Sequence, residues 1–140
     1  MLRAVIDTNV LVSAILSPKG VPAEVVRAFQ RGAFQLVLSP SILEEVRRVL
    51  FAPEIRRFWR IPEDHVLALL IDLERSALLV PGTTPVRFGR DPDDERFIAA
   101  ALEAEATYLV SGDEDLLALR RVGRVEIVRP SLFMTRLASP

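Results

Sequence analysis

The chain has 140 residues, 50% hydrophobic and 26% charged, which suits one globular domain with a buried core and excludes a disordered tail. Lys and Arg total 18 against 19 Asp and Glu, so the formal charge of -1 excludes a global basic field for nucleic acid. Cysteine is absent and His65 is the single histidine, which excludes disulfides, thiolate nucleophiles and Cys- or His-built zinc sites.

Residues 2–6 (LRAVI) read as a buried strand that ends at Asp7. A short helical or turn segment follows over 10–16 and is closed by Ser17-Pro18-Lys19-Gly20. Pro22 opens a helix through Gln30 that Gly32 ends, and 34–38 is a short strand. Ser39 caps the next helix with Pro40 at its first position; Pro53 interrupts it. A helix over 63–75 and a strand over 77–80 precede a turn, Pro81-Gly82-Thr83-Thr84-Pro85. The stretch DPDDERFIAAALEAEA then begins with acids suited to a helix N-terminus, with Asp91 a turn former beside Pro92. A β-branched strand over 107–110 runs into Ser111-Gly112-Asp113, and a short helix carries Leu116, Leu117 and Leu119. A strand over 125–128 is followed by a small helix after Pro130.

This alternation predicts a three-layer α/β/α sandwich with a mostly parallel sheet, as a single domain over 1–140. The first residues carry an Asp inside their apolar run and read as strand and turn, not as an export signal. No stretch approaches the roughly 20 apolar residues of a membrane span, so a cytoplasmic protein with no membrane partner is expected.

Asp7, Glu45, Asp94 and Asp113, with Asp115 close behind, stand at ends of expected strands or starts of expected helices. In a parallel sheet those ends share one edge, where ligands bind. Carboxylates gathered there repel one another, and a hard divalent cation with oxygen ligands relieves them. Each acid also has a plain structural role open to it. Asp7 can cap the turn at Thr8 and Asn9, and Asp113 or Asp115 can cap the helix that follows them.

At about 100° per residue, Glu45 lies roughly 100° from the centre of the stripe Ile42, Leu43, Val46, Val49 and Leu50, whereas Glu44 lies roughly 160° away. Glu45 therefore sits beside the core and Glu44 faces solvent. Asp94 shares a face with Ile98, Ala101 and Leu102, which favours it over Asp91 and Asp93. Arginine clusters at Arg47, Arg48, Arg56, Arg57 and Arg60, and at Arg120, Arg121 and Arg124, are solvated helix faces or phosphate contacts.

The strings VIDTNVLVSA, SPSILEEVRRVL, DPDDERFIAAAL and YLVSGDEDLL, in this order from residue 3 to the late RPSLFM segment, resemble the PIN-domain family. Within it they are similar to the branch of toxin components of toxin–antitoxin pairs, the VapC-like ribonucleases. The resemblance implies an α/β/α sandwich with a parallel sheet of about five strands. It places the family's four acids on Asp7, Glu45, Asp94 and Asp113, and a further acid on Asp115. It also implies one or two Mg²⁺ or Mn²⁺ ions, RNA as substrate, a small cognate antitoxin and a homodimer. One departure is Glu95, where this branch commonly has Asn.

The expected function is metal-dependent hydrolysis of RNA phosphodiesters, with Ser111 and Thr8 as donors to the ligating carboxylates and Arg96 or the Arg47/Arg48 pair gripping the backbone. The alternative is a non-catalytic or weakly catalytic module that binds RNA or an antitoxin. An aspartyl phosphatase is disfavoured because Asn9 stands two residues after Asp7, where such enzymes need Asp. A structure-specific DNA nuclease is disfavoured by the lack of room for an added helical arch.

Overall fold

The computed structural model describes residues 1–87 and 92–139, with Phe58 and Trp59 described in their backbone alone. The expected turn at Asp91 lies outside these residues. In chain order the elements are β1 (Arg3–Ile6), α1 (Thr8–Leu16), α2 (Val21–Gln30), β2 (Gln35–Leu38), α3 (Pro40–Leu50), α4 (Pro53–Trp59) and α5 (Glu63–Ser76). There follow β3 (Leu78–Leu79), α6 (Pro92–Glu103), β4 (Tyr108–Val110), α7 (Glu114–Leu119), β5 (Arg121–Val122), β6 (Val125–Val128) and α8 (Pro130–Ala138).

The strands form one sheet in the order β3-β2-β1-β4-β6-β5, parallel throughout except for β5, which pairs antiparallel with β6. Five parallel strands match the expectation, and the two-residue β5 adds an edge. Ala4, Val5 and Ile6 are all fully buried, as are Leu36 and Val37. Successive strand residues point to opposite faces, so burial of every one requires helices on both sides of the sheet. That is the three-layer arrangement.

Connections leave β1 toward β2 on one side, while β4 lies on the other side of β1. The β1–β4 boundary is thus the point where the winding reverses, and the carboxyl ends of strands there open onto a crevice. Register brings Ile6 level with Val110, so the next residues, Asp7 and Ser111, leave the sheet at equal height. The bonds from the Asp7 N–H to the Val110 carbonyl at 2.9 Å and from the Ser111 N–H to the Val128 carbonyl at 3.0 Å extend that row.

Two elements differ from the sequence reading. Pro53 interrupts the preceding helix as expected, α3 ending at Leu50, and it also opens α4, a helix not expected from the sequence, because proline at a first-turn position forfeits only an N–H that would be unsatisfied anyway. The short β5 carries no periodicity of its own and exists by pairing Val122 with Val125. Ser39 caps α3 as expected, accepting the Ile42 N–H at 3.3 Å.

The turn after β3 is held against α3 and α6. Glu103 accepts the Gly82 N–H at 2.7 Å and the Thr84 N–H at 2.8 Å, and these bonds, from Thr84 first, draw its carboxyl below the usual range. Gly82 has φ +70°, and a Cβ there would sit 2.6 Å from the Ser39 Cβ. Gly32, at φ +79°, has open space around it. Gly32→Ala is therefore expected to lose only about 1 kcal/mol, from left-handed backbone strain. Gly82→Ala adds a clash with a fully buried residue and should lose clearly more, about 2–4 kcal/mol in urea unfolding.

Candidate active site

Asp7 follows the last residue of β1 and is 5% exposed. Its carboxylate caps α1: Oδ1 accepts the Asn9 N–H at 3.1 Å, and Oδ2 accepts the Ser111 hydroxyl at 2.7 Å. Ser111 is fully buried, and its Oγ in turn accepts the Asp113 N–H at 3.0 Å. Asp113 caps α7 in the same manner, its Oδ1 accepting the Asp115 N–H at 2.8 Å. One hydroxyl thus bridges two acid-capped strand ends. Both aspartates fill the capping roles open to them, and Asp7 still shares an electrostatic neighbourhood with two further acids.

Burial, first of all, raises the Asp7 carboxyl above its ordinary 3.8; the bonds from Ser111 and Asn9 oppose this, and the charges of Asp113 and Glu45 add to it. Those last two influences place Asp7 within electrostatic range of both Glu45 and Asp113. Glu45 stands on the second turn of α3 with its side chain 16% exposed, whereas Glu44 is exposed. Asp94 is buried in the first turn of α6, a helix that packs on β1, β4 and α3, while Asp93 beside it is exposed. The facing argument made from periodicity holds for both pairs. Asp115 is exposed, beyond its backbone bond to Asp113.

The donors of this edge are carboxylate oxygens, the set preferred by Mg²⁺ or Mn²⁺. A second observation fits a cation: the Thr8 hydroxyl, next to Asp7, is buried with no hydrogen-bond partner among the described residues. Among the described residues no three acidic or histidine side chains already converge on one metal-sized centre. The acids are neighbours, not a closed cage. Two open recesses lie nearby, one beside Asp113 and one beside Arg96. One of about 310 Å³ is lined by Asn9, Ser13, Gly112 and Asp113, and one of about 450 Å³ by Thr84, Arg87, Glu95 and Arg96.

The arginine clusters at 47–48 and 56–57 lie exposed, as solvated helix faces do, whereas Arg96 is placed in an ion-pair network. Arg96 does not stand free for a phosphate backbone: it lies 2.6 Å from Glu45 Oε2 and 2.8 Å from Asp93 Oδ1. Arg47 is paired with Glu74 at 2.6 Å, tying α3 to α5 on an exposed surface, and Arg56 stands 3.6 Å from Glu63. The partner that a half-buried Glu45 needed was readable as a requirement, but its identity was not. His65 is exposed, as expected of a residue without a site role.

The PIN-domain family model matches residues 3–115. The chain belongs to the PIN-domain family. It is 32% identical over 119 residues to the uncharacterised protein MJ1680 of Methanocaldococcus jannaschii, covering 85% of this chain and 76% of that one. Its fold is similar to a chain in the crystal structure of VapBC2 from Rickettsia felis bound to a DNA fragment from their promoter. There the TM-score is 0.59 at 10% identity, covering 90% of this chain and 97% of that one. PIN domains are generally nucleases. Among the described residues no helix is long and apolar enough to cross a membrane.

The raised Asp7 carboxyl gives a signed pH dependence for this PIN domain. The folded chain holds that proton more tightly than the unfolded chain, so the group favours folding fully below 3.8 and loses this contribution as pH rises through its raised folded value. At neutral pH the ionised form opposes folding. Asp7→Asn is therefore expected to raise the Tm near pH 7 in the presence of a chelator, with the gain shrinking as the pH falls toward about 4. Thermal melts of both proteins across that range check it.

Proposed function

We propose that this PIN domain is a metal-dependent endoribonuclease, the toxin of a toxin–antitoxin pair, acting in the cytoplasm. The observation that carries the proposal is the buried Asp7, bridged through Ser111 to Asp113 and electrostatically coupled to Glu45 at the reversal point of a parallel sheet. A similar fold in a VapBC2 chain supports a small antitoxin as partner, and the branch resemblance supports a homodimer.

Asp7, Asp94 and Asp113 would hold Mg²⁺ or Mn²⁺, with Glu45 completing the set and Asp115 at its exposed rim. A bound cation supplies a water of lowered pKa and neutralises charge developing on the phosphoryl oxygens. The chain's own residues do the rest. Ser111 fixes the Asp7 carboxylate by donating to Oδ2, and the Asn9 N–H fixes the other oxygen, so neither can rotate away from the crevice. Glu45, electrostatically coupled to Asp7, would complete the site either as a further ligand or by orienting the attacking water. The open recesses beside Asp113 and Arg96 leave access for an RNA strand.

Asp7→Asn and Asp94→Asn are each expected to reduce cleavage of single-stranded RNA in Mg²⁺ or Mn²⁺ by at least about 100-fold, while circular dichroism stays that of the folded protein. Full cleavage by rigorously purified Asp7→Asn protein would overturn the assignment. A domain that binds a co-purified antitoxin yet shows no cation-dependent cleavage would instead be a binding module.

A further inference from the structure

Arg96 makes more contacts than a surface arginine needs. Its Nη1 lies 2.6 Å from Glu45 Oε2, its Nη2 donates to Asp93 Oδ1 at 2.8 Å, and its Nε donates to the Asp93 carbonyl at 3.1 Å. Two of the three nitrogens thus anchor the guanidinium to its own helix, one turn back, and the third is an arm of fixed direction reaching α3. The planar fork that makes this geometry rigid belongs to Arg and not to Lys.

Both partners are partly withdrawn from water, with side chains 21% and 16% exposed. A carboxylate in that setting needs a counter-charge, and a guanidinium held there is more than a solvated ornament. The contact uses Oε2; Oε1 of Glu45 carries no hydrogen bond among the described residues. One oxygen is ion-paired at close range while the other is left for water or a cation.

We propose that Arg96 is a positioning residue with two opposed effects on the same site. It aims Glu45 by holding one carboxylate oxygen, and its positive charge, set against an edge of acids, weakens the attraction of that edge for a divalent cation. The proposal rests on the reading of Asp7, Glu45, Asp94 and Asp113 as a cation site. A phosphate-gripping arginine would need its arms free, and here all three nitrogens are engaged. A mere strut between α3 and α6 would leave cation affinity where it was.

The test uses the full chain with Mn²⁺ as probe. Cation affinity is read by calorimetry, steady-state cleavage by a single-stranded RNA substrate, and integrity by thermal melting. Arg96→Gln is expected to bind Mn²⁺ about 3- to 10-fold more tightly, because a positive charge leaves the site. Its kcat should fall about 10-fold or more, with KM within about two-fold, because Glu45 is no longer aimed. Arg96→Lys keeps the charge and loses the fork, so it should bind Mn²⁺ like the wild type while its kcat falls to an intermediate value. Adding Arg96→Gln to Glu45→Gln should lower kcat no further, since the two act as a unit.

Unchanged or weaker Mn²⁺ binding by folded Arg96→Gln protein overturns the proposal. So does a raised KM with kcat intact, which would make Arg96 an RNA contact. If Arg96→Gln does not fold, Arg96→Lys decides: a wild-type kcat overturns the aiming role. Asp7→Asn serves as the separate control. Loss of Mn²⁺ binding there with no effect at Arg96 removes this inference alone, whereas wild-type Mn²⁺ binding by Asp7→Asn removes the cation site itself.

Discussion

A single buried hydroxyl, that of Ser111, organises the acidic edge of this protein. It donates to Asp7, 104 residues earlier in the chain at the end of one strand, and accepts from the backbone of Asp113 just beyond its own strand. A hydroxyl has one proton to give and lone pairs to receive, so it can serve both sides at once. The bond to Asp7 is charge-assisted and shielded from water, which makes it a strong constraint on where that carboxylate points. The register of β1 with β4 is what brings the two residues level; a slip of one residue would turn Ser111 away.

The edge is built against its own electrostatics. Among the described residues Asp7 has no counter-ion in direct contact, and two nearby acids add to the cost of its charge. Stability alone would favour an amide or an apolar residue at that position. Perturbed groups collected in a crevice are the usual signature of a site shaped by chemistry instead of by folding. Membership in the PIN-domain family, whose members are generally nucleases, agrees with that physical reading. Arg96 belongs to the same balance, since it neutralises Glu45 from a helix reached through a different crossover.

The local signals were legible for local reasons. A helix turns about 100° per residue, so the stripe through Ile42, Val46 and Leu50 already separates Glu45 from Glu44, and the structure finds one half-buried and the other exposed. The same logic favoured Asp94 over Asp93, and the structure finds Asp94 buried and Asp93 exposed. Proline was legible in part: Pro40 opens α3 and Pro53 interrupts it, as expected, but that Pro53 also opens α4 was not read from the sequence. The edge strand β5 had no pattern to read, because two residues acquire strand character only by pairing with β6.

What the sequence determined by itself was most of the elements, the side that helix residues such as Glu44 and Glu45 present, and the acids that follow β1 and β4. Those depend on neighbours within a turn or a pleat, and such neighbours are written consecutively. Which acids meet, and which cation answers them, was decided only in three dimensions. Ser111 reaches Asp7, and Arg96 reaches Glu45, because strand register and crossovers bring distant segments together. No local periodicity encodes those distances.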